Sequence, residues 1–246
     1  MGKAKIALIG GTGLEGLLEK TGQFRVKTPY GISPSISTGP LGGHTVAFLP
    51  RHGVKHETPP HGVNYRAAIW SLKKIGVKRI LSTNAVGAIN ERYKPGDLVI
   101  PSDIIDFTRS RTTTFYDKGP VVHIDVTDPY CSELKTLLSA SIQQIGHEHW
   151  SGSVLAVTEG PRFETPAEIK MMKRVGCDVV GMTGSPEVFL ARELEMCYAT
   201  ICLVSNMAAG MQSRLTVKEV VIMAEKTLPV IRQVVERTIR SIPEQR

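Results

Sequence analysis

Short, densely apolar runs alternate along the chain with segments whose apolar positions recur every three to four residues. The runs Lys5–Ile9, Thr45–Leu49, Arg79–Ser82, Leu98–Ile100, Val154–Val157, Val179–Met182 and Tyr198–Val204 predict strands, mostly buried on both faces. The helical period predicts helices over Tyr65–Ile75, Ser132–Ile145, Pro166–Val175, Pro186–Leu194 and Val217–Ile239. Thr165-Pro166-Ala167-Glu168 and Thr216-Val217-Lys218-Glu219 carry the T-x-x-E capping box, and Ser185-Pro186 puts proline at a first helical position. Pro229 is expected to kink or break the last helix. This alternation predicts an α/β fold with a mixed, largely parallel central sheet flanked by helices. No linker or repeat divides the 246 residues, so residues 1–246 are read as one domain.

The loops after these strands hold the unusual chemistry. Gly10-Gly11-Thr12-Gly13 follows the first strand, Arg51-His52-Gly53 the second and Asn84-Ala85-Val86-Gly87 the third. Gly181-Met182-Thr183-Gly184-Ser185 follows the sixth and Ser205-Asn206 the seventh. Ligands of open α/β sheets sit beyond the carboxyl ends of strands, so these turns describe one shared site.

Charge and composition narrow the ligand. Thirty Lys+Arg against 23 Asp+Glu give +7, which suits an anion. Nucleic acid is disfavoured, because no basic run reaches four residues and aromatics make up only 6%. No apolar run approaches the roughly 18 residues of a membrane span. The start, Met1-Gly2-Lys3-Ala4-Lys5, is not a signal peptide, so the expected location is the cytosol. Cys131, Cys177, Cys197 and Cys202 lack C-x-x-C spacing and are read as buried thiols in a reducing compartment.

Gly11-Thr12-Gly13-Leu14-Glu15-Gly16 matches G-x-G-x-x-G after a strand. The ribose-binding acid expected about 20 residues later is missing, since no Asp or Glu lies between Glu19 and Glu57. A triphosphate-binding G-x-x-x-x-G-K-[ST] is absent. What remains is a glycine turn whose backbone N–H groups and Thr12 hydroxyl can bind a small anion. His52, His56 and His61 invite a metal reading, but Gly53, Pro59 and Pro60 break any helix that would align them. No G-x-S-x-G elbow serves a serine hydrolase.

Taken together, Gly10-Gly11-Thr12-Gly13, Arg51-His52-Gly53-x-x-His56, Val63-Asn64-Tyr65-Arg66-Ala67, Asn84-Ala85-x-Gly87, Pro95-Gly96-Asp97, Glu159-Gly160-Pro161-Arg162-Phe163-Glu164-Thr165 and Gly181-Met182-Thr183 resemble the trimeric purine nucleoside phosphorylases. The resemblance runs over nearly the whole chain and is nearest to the methylthioadenosine and methylthioinosine phosphorylase branch. It implies a homotrimer that cleaves a purine nucleoside with inorganic phosphate as second substrate, without metal or organic cofactor. It further implies that Thr12, Arg51, His52, Asn84, Ala85 and Thr183 hold phosphate, that Met182 packs beneath the ribose beside Phe163, and that His123 reaches a neighbouring subunit's pocket.

The base pocket departs from the methylthioadenosine enzymes, which carry D-x-D after the last strand; here the triplet is Asn206-Met207-Ala208. Glu164 with Asn206 resembles the pair used by 6-oxopurine phosphorylases. Hypoxanthine offers an N1–H donor to a carboxylate and an O6 acceptor to an amide, whereas adenine reverses that edge. At the sugar end Val217 stands where phosphorylases of ordinary nucleosides place a histidine, which favours an apolar 5′-methylthio group. The expected reaction is phosphorolysis of S-methyl-5′-thioinosine, with Asn206, Arg51 and Thr183 stabilising the transition state. The alternatives are a methylthioadenosine phosphorylase, a general inosine/guanosine phosphorylase and a non-catalytic purine-binding protein.

Overall fold

β1 (Ile6–Gly10) lies parallel to both β6 (His44–Pro50) and β7 (Arg79–Ala88), and its residues point alternately to two apolar layers. Ile6 and Leu8, with Phe48 and Leu81, pack toward α2 (Ser132–Gln144) and α5 (Val217–Arg240). Ala7 and Ile9, with Leu49 and Ile80, pack toward α1 (Tyr65–Lys74) and α4 (Glu187–Glu193). Apolar residues on both faces thus place helices on both faces. The computed structural model describes residues 4–11, 14–19 and 21–243.

The other strands are β2 (Gly22–Phe24), β3 (Lys27–Thr28), β4 (Gly31–Ile32), β5 (Ile36–Leu41), β8 (Leu98–Asp106), β9 (His149–Val157), β10 (Val179–Gly181) and β11 (Cys197–Met207). α3 (Pro166–Arg174) separates β9 from β10. The nine-stranded sheet has the order β10-β9-β8-β11-β7-β1-β6-β5-β2, while β3 and β4 pair separately. Both parallel and antiparallel pairings occur, as the mixed-sheet expectation requires. No helix among the described residues is long and apolar enough to cross a membrane.

One topological detail positions the site. β1 pairs with β7 only as far as Ser82, and β10 takes up the same strand again, antiparallel, at Gly87 and Ala88. Between them Thr83–Val86 keep their β11 ladder but have no strand partner on the other side among the described residues. That gap is a crevice of the kind α/β sheets offer to ligands where strand order reverses. The sequence reading of Asn84–Gly87 as a turn is therefore corrected: continuous pairing with β11 keeps them in β7.

Three further expectations change. α5 runs unbroken through Pro229, because Ile231, Val234, Val235 and Ile239 anchor it to the core beyond the lost backbone bond. Pro186 is the N-cap of α4 rather than its first helical residue. Cys131 and Cys197 form a disulfide, brought together where the Cys131 N–H donates to the Tyr198 carbonyl at 2.8 Å. The thiol reading holds for Cys177 and Cys202, both buried; burial lifts these thiols to about 11 and about 12 respectively.

The capping boxes form as read. Thr216 accepts from the Glu219 N–H at 3.3 Å, and the Glu219 carboxylate accepts from the Thr216 N–H at 3.1 Å. Thr216→Ala is expected to lower stability by about 1 kcal/mol, read as a shifted denaturant midpoint with an unchanged slope.

Candidate active site

Arg51 leaves β6 where its N–H donates to the Gly10 carbonyl at 3.1 Å, so the ends of β1 and β6 meet at its Cα. Its guanidinium is buried, with Nε and Nη2 on the two Glu187 oxygens at 2.8 and 2.9 Å. Nη2 also donates to Ser82 Oγ at 2.5 Å, and Nη1 to the Thr83 carbonyl at 3.0 Å. Of the five N–H bonds of an arginine, one on Nη1 is left uncommitted among the described residues. Glu187 additionally accepts from Tyr198 Oη at 2.6 Å and Ser82 Oγ at 3.0 Å. Burial alone would raise the Glu187 carboxyl, but the Arg51 guanidinium and these donors outweigh it and hold it below its ordinary range.

His52 Nδ1 faces the Thr58 carbonyl at 2.9 Å, so that nitrogen carries the proton. Burial, reinforced by the Arg51 charge, lowers its pKa to about 4. At neutral pH the ring is uncharged and Nε2 is an acceptor. A pH prediction follows from the sign of the shift. The folded pKa lies below the ordinary 6.5, so His52 supports the fold fully above pH 6.5 and loses that contribution as pH falls toward 4. The contribution is on the order of 3 kcal/mol. His52→Gln should show a shallower decline in unfolding free energy across that window, checked by denaturant titrations at stepped pH.

In the β7 gap, Thr183 Oγ1 donates to Asn84 Oδ1 at 2.6 Å, and Asn84 Nδ2 donates to Thr200 Oγ1 at 2.8 Å. Asn84 also hydrogen-bonds the buried Cys202 sulfur, and Thr183 keeps its oxygen lone pairs. Ala85, next along the strand, is exposed in the gap. Arg51, His52, Asn84, Ala85 and Thr183 gather at one set of strand ends; Thr12 lies outside the described residues.

A second group lies on the β9–β11 side. Ser205 is the bulge residue where the β11–β7 register shifts between Val204 and Asn206, and a bulge re-aims the side chain after it. Ser205 Oγ faces Asn206 Oδ1 at 2.6 Å and the Val86 carbonyl at 3.2 Å, and its one hydrogen goes to the nearer Asn206 oxygen; Asn206 Nδ2 donates to the Met207 carbonyl at 2.9 Å. Glu164 Oε1 accepts from Thr158 Oγ1 at 2.6 Å. Gly160, at φ 66°, lies so close to Met182 that an added Cβ would meet its sulfur at 2.8 Å. The strand-end turns and the Glu159–Thr165 segment are joined there. Gly210, with an added Cβ 2.7 Å from Pro166, packs the turn after β11 against the start of α3. Phe163 and Glu164, just before that helix, are half-buried.

Ala208 fits its expected role least well. It is buried among Ile89, Ile169 and Met172, so its methyl packs on α3 and its contacts are apolar side chains. Met207 is half-buried, with its N–H held by Gln212 Oε1 at 2.9 Å. Val217 is 66% exposed at the start of α5. His123 is exposed in the segment between β8 and α2, and among the described residues neither side chain forms a hydrogen bond or ion pair. A cavity of about 430 Å³ is lined by Asp106, Tyr116, Val121, Ile124 and Phe189.

Comparison with known proteins decides the family: residues 5–240 match the phosphorylase superfamily. The chain belongs to that superfamily. It is 49% identical over 245 residues to a probable S-methyl-5′-thioinosine phosphorylase of Methanopyrus kandleri, covering 98% of this chain and 94% of the relative. It is 47% identical over 251 residues to the 6-oxopurine nucleoside phosphorylase of Pyrococcus furiosus, covering 98% and 94%. Among solved structures, methylthioadenosine phosphorylase from Schistosoma mansoni in complex with adenine superposes with a TM-score of 0.91 at 32% identity, covering 96% of this chain and 91% of that one.

The superfamily fold brings in residues that sequence reasoning left aside: Glu187 behind Arg51, Thr158 behind Glu164, and Arg111 between the two groups. Glu187 had a signal, an acid on the helix-starting turn that follows Gly184-Ser185-Pro186. Arg111 had none, since Thr108–Asp128 carries neither period nor motif.

Proposed function

We propose that this chain is a purine nucleoside phosphorylase of 6-oxopurine type, with S-methyl-5′-thioinosine and phosphate as substrates and hypoxanthine and 5-methylthioribose 1-phosphate as products. The observation that carries the base assignment is a donor–acceptor pair. Ser205 occupies Asn206 Oδ1, so the side-chain amide offers the purine only its second Nδ2–H. Glu164 takes Thr158 on Oε1 and leaves Oε2 as an acceptor. Acceptor plus donor complements an N1–H/O6 edge and opposes the N1/N6-amino edge of adenine. The names of the Methanopyrus and Pyrococcus relatives support the same reading.

Phosphate is read as lying against Arg51, His52, Asn84, Ala85 and Thr183, with Thr12 as a further donor. The anion would meet the uncommitted Arg51 Nη1–H and the Asn84 amide, while its own O–H donates to His52 Nε2. A phosphate oxygen attacks the anomeric carbon as the C–N9 bond breaks, and the electron pair leaves with the base. Positive charge on the ribose is stabilised by the anion beside it. Negative charge on the purine is stabilised by the Asn206 donor. Met182 and Phe163 would flank ribose and base, and Val217 would meet the 5′-methylthio group. The assembly is read as a homotrimer in which His123, next to the exposed Val122, enters a neighbour's site.

The test is base release from methylthioinosine, methylthioadenosine, inosine and adenosine, each with and without phosphate. Phosphate-dependent hypoxanthine release, fastest from methylthioinosine, is expected. Faster adenine release from methylthioadenosine would overturn the base assignment.

A further inference from the structure

Arg111 lies beyond β8 in a stretch without helix or strand, yet its side chain is only 2% exposed. Its contacts account for all five guanidinium N–H groups. Nη1 donates to the Ser185 carbonyl at 2.6 Å and Tyr65 Oη at 3.2 Å. Nη2 donates to the carbonyls of Glu159 at 2.7 Å and Thr158 at 3.2 Å, and Nε to Glu159 Oε1 at 3.3 Å. With all five guanidinium hydrogens committed, the side chain has no donor to spare for phosphate or nucleoside.

Its acceptors belong to the two halves of the site. Ser185 ends the turn that carries Met182 and Thr183; Thr158 and Glu159 begin the segment that carries Phe163 and Glu164. We propose that Arg111 is a positioning residue, locking the base-side segment 158–164 against the phosphate-side turn 181–185 so that the reacting atoms face each other. This rests on the assignment of those segments under the proposed function.

The two halves depend on it unequally. The phosphate side keeps anchors of its own in Thr183 on Asn84, Ser185 Oγ on Asp106 and Glu187 on Arg51. On the base side the Thr158 N–H donates to the Gly181 carbonyl at 2.9 Å, but Glu159 Oε2 is held by the backbone N–H groups of Arg109 at 2.6 Å and Ser110 at 3.1 Å, the two residues before Arg111, so beyond Thr158 the segment leans on the Arg111 stretch. Arg111→Lys keeps the charge but replaces a planar fork with a single ammonium, which cannot reach both halves in the same geometry.

The experiment measures hypoxanthine affinity, phosphate affinity and kcat for wild type and Arg111→Lys, with thermal melting to verify folding. Hypoxanthine binding should weaken about tenfold and kcat should fall roughly 100-fold, while phosphate affinity stays within about twofold. Unchanged hypoxanthine affinity and kcat, or equal loss of both affinities, would overturn the proposal. If Arg111→Lys does not fold, Glu159→Gln is measured in its place. It should weaken hypoxanthine about threefold and leave phosphate binding intact, and no change in either would overturn the proposal. Wild-type protein that binds no hypoxanthine would instead overturn the base assignment on which the proposal rests.

Discussion

Glu187→Ala is expected to lower folding stability by about 3–5 kcal/mol, because it leaves the buried Arg51 guanidinium without its counter-charge. Both side chains are 2% exposed, and the carboxylate takes two of the arginine's bonds along with those of Ser82 and Tyr198. Removing both charges should cost much less. Arg51→Met with Glu187→Leu is expected within about 2 kcal/mol of wild type, since a buried ion pair and an apolar pair of similar volume differ little in stability. The double variant should nevertheless be inactive, because the Arg51 N–H proposed to meet phosphate has gone. Denaturant unfolding of both variants, with phosphate-dependent turnover, separates the two consequences. A single variant as stable as wild type would mean that Arg51 finds other partners.

Glu164→Gln should reverse the choice of base. Thr158 can still donate to the amide oxygen, so the new Nε2–H₂ takes the position where a base acceptor was. The 6-oxopurine N1–H then meets a donor and loses a charge-assisted bond, while adenine N1 gains a partner. A roughly 100-fold fall in kcat/KM for the 6-oxopurine nucleoside is expected, with the 6-aminopurine nucleoside unchanged or improved. Glu164 is half-buried on a loop, so little stability is at stake. Parallel kinetics with methylthioinosine and methylthioadenosine decide it; an unchanged ratio would remove Glu164 from base recognition. Adding Asp at Ala208, the other change toward the D-x-D pattern, is a poorer test. It would place a carboxylate among Ile89, Ile169 and Met172.

Much of this architecture was legible in the residues. Each strand and helix read from apolar periodicity exists, most ending within a few residues of the expected bounds, because buried strands and amphipathic helices write their period directly into the sequence. The hairpin of β5 and β6 was missed. Gly39 and Pro40 make Ile36–Leu41 look like a turn, although Gly42-Gly43, at φ 58° and 88°, is the two-residue signal that joins such strands. The end of β7 was mistaken for a loop because its polar residues line a gap that only the positions of β1 and β10 create.

The polar residues at strand ends could be listed from sequence, but not their bonding. That His52 is an acceptor follows from Thr58, and that Asn206 is a donor follows from Ser205. Arg51 meets Glu187 across 136 positions and Arg111 meets Ser185 across 74. Such long-range partners leave no local pattern.

The return of β10 to β7 has a consequence for solution behaviour. An end strand normally exposes a row of unmatched N–H and C=O groups, an invitation to association between chains. Here β10 is paired on both sides, so among the described strands of the large sheet only β2 presents an open side along its whole length, and β2 is three residues long. Beyond β2, strand addition is open only to parts of strands, such as β9 before Leu155 and β8 after Val99, so any ordered association of concentrated protein should be confined to such stretches.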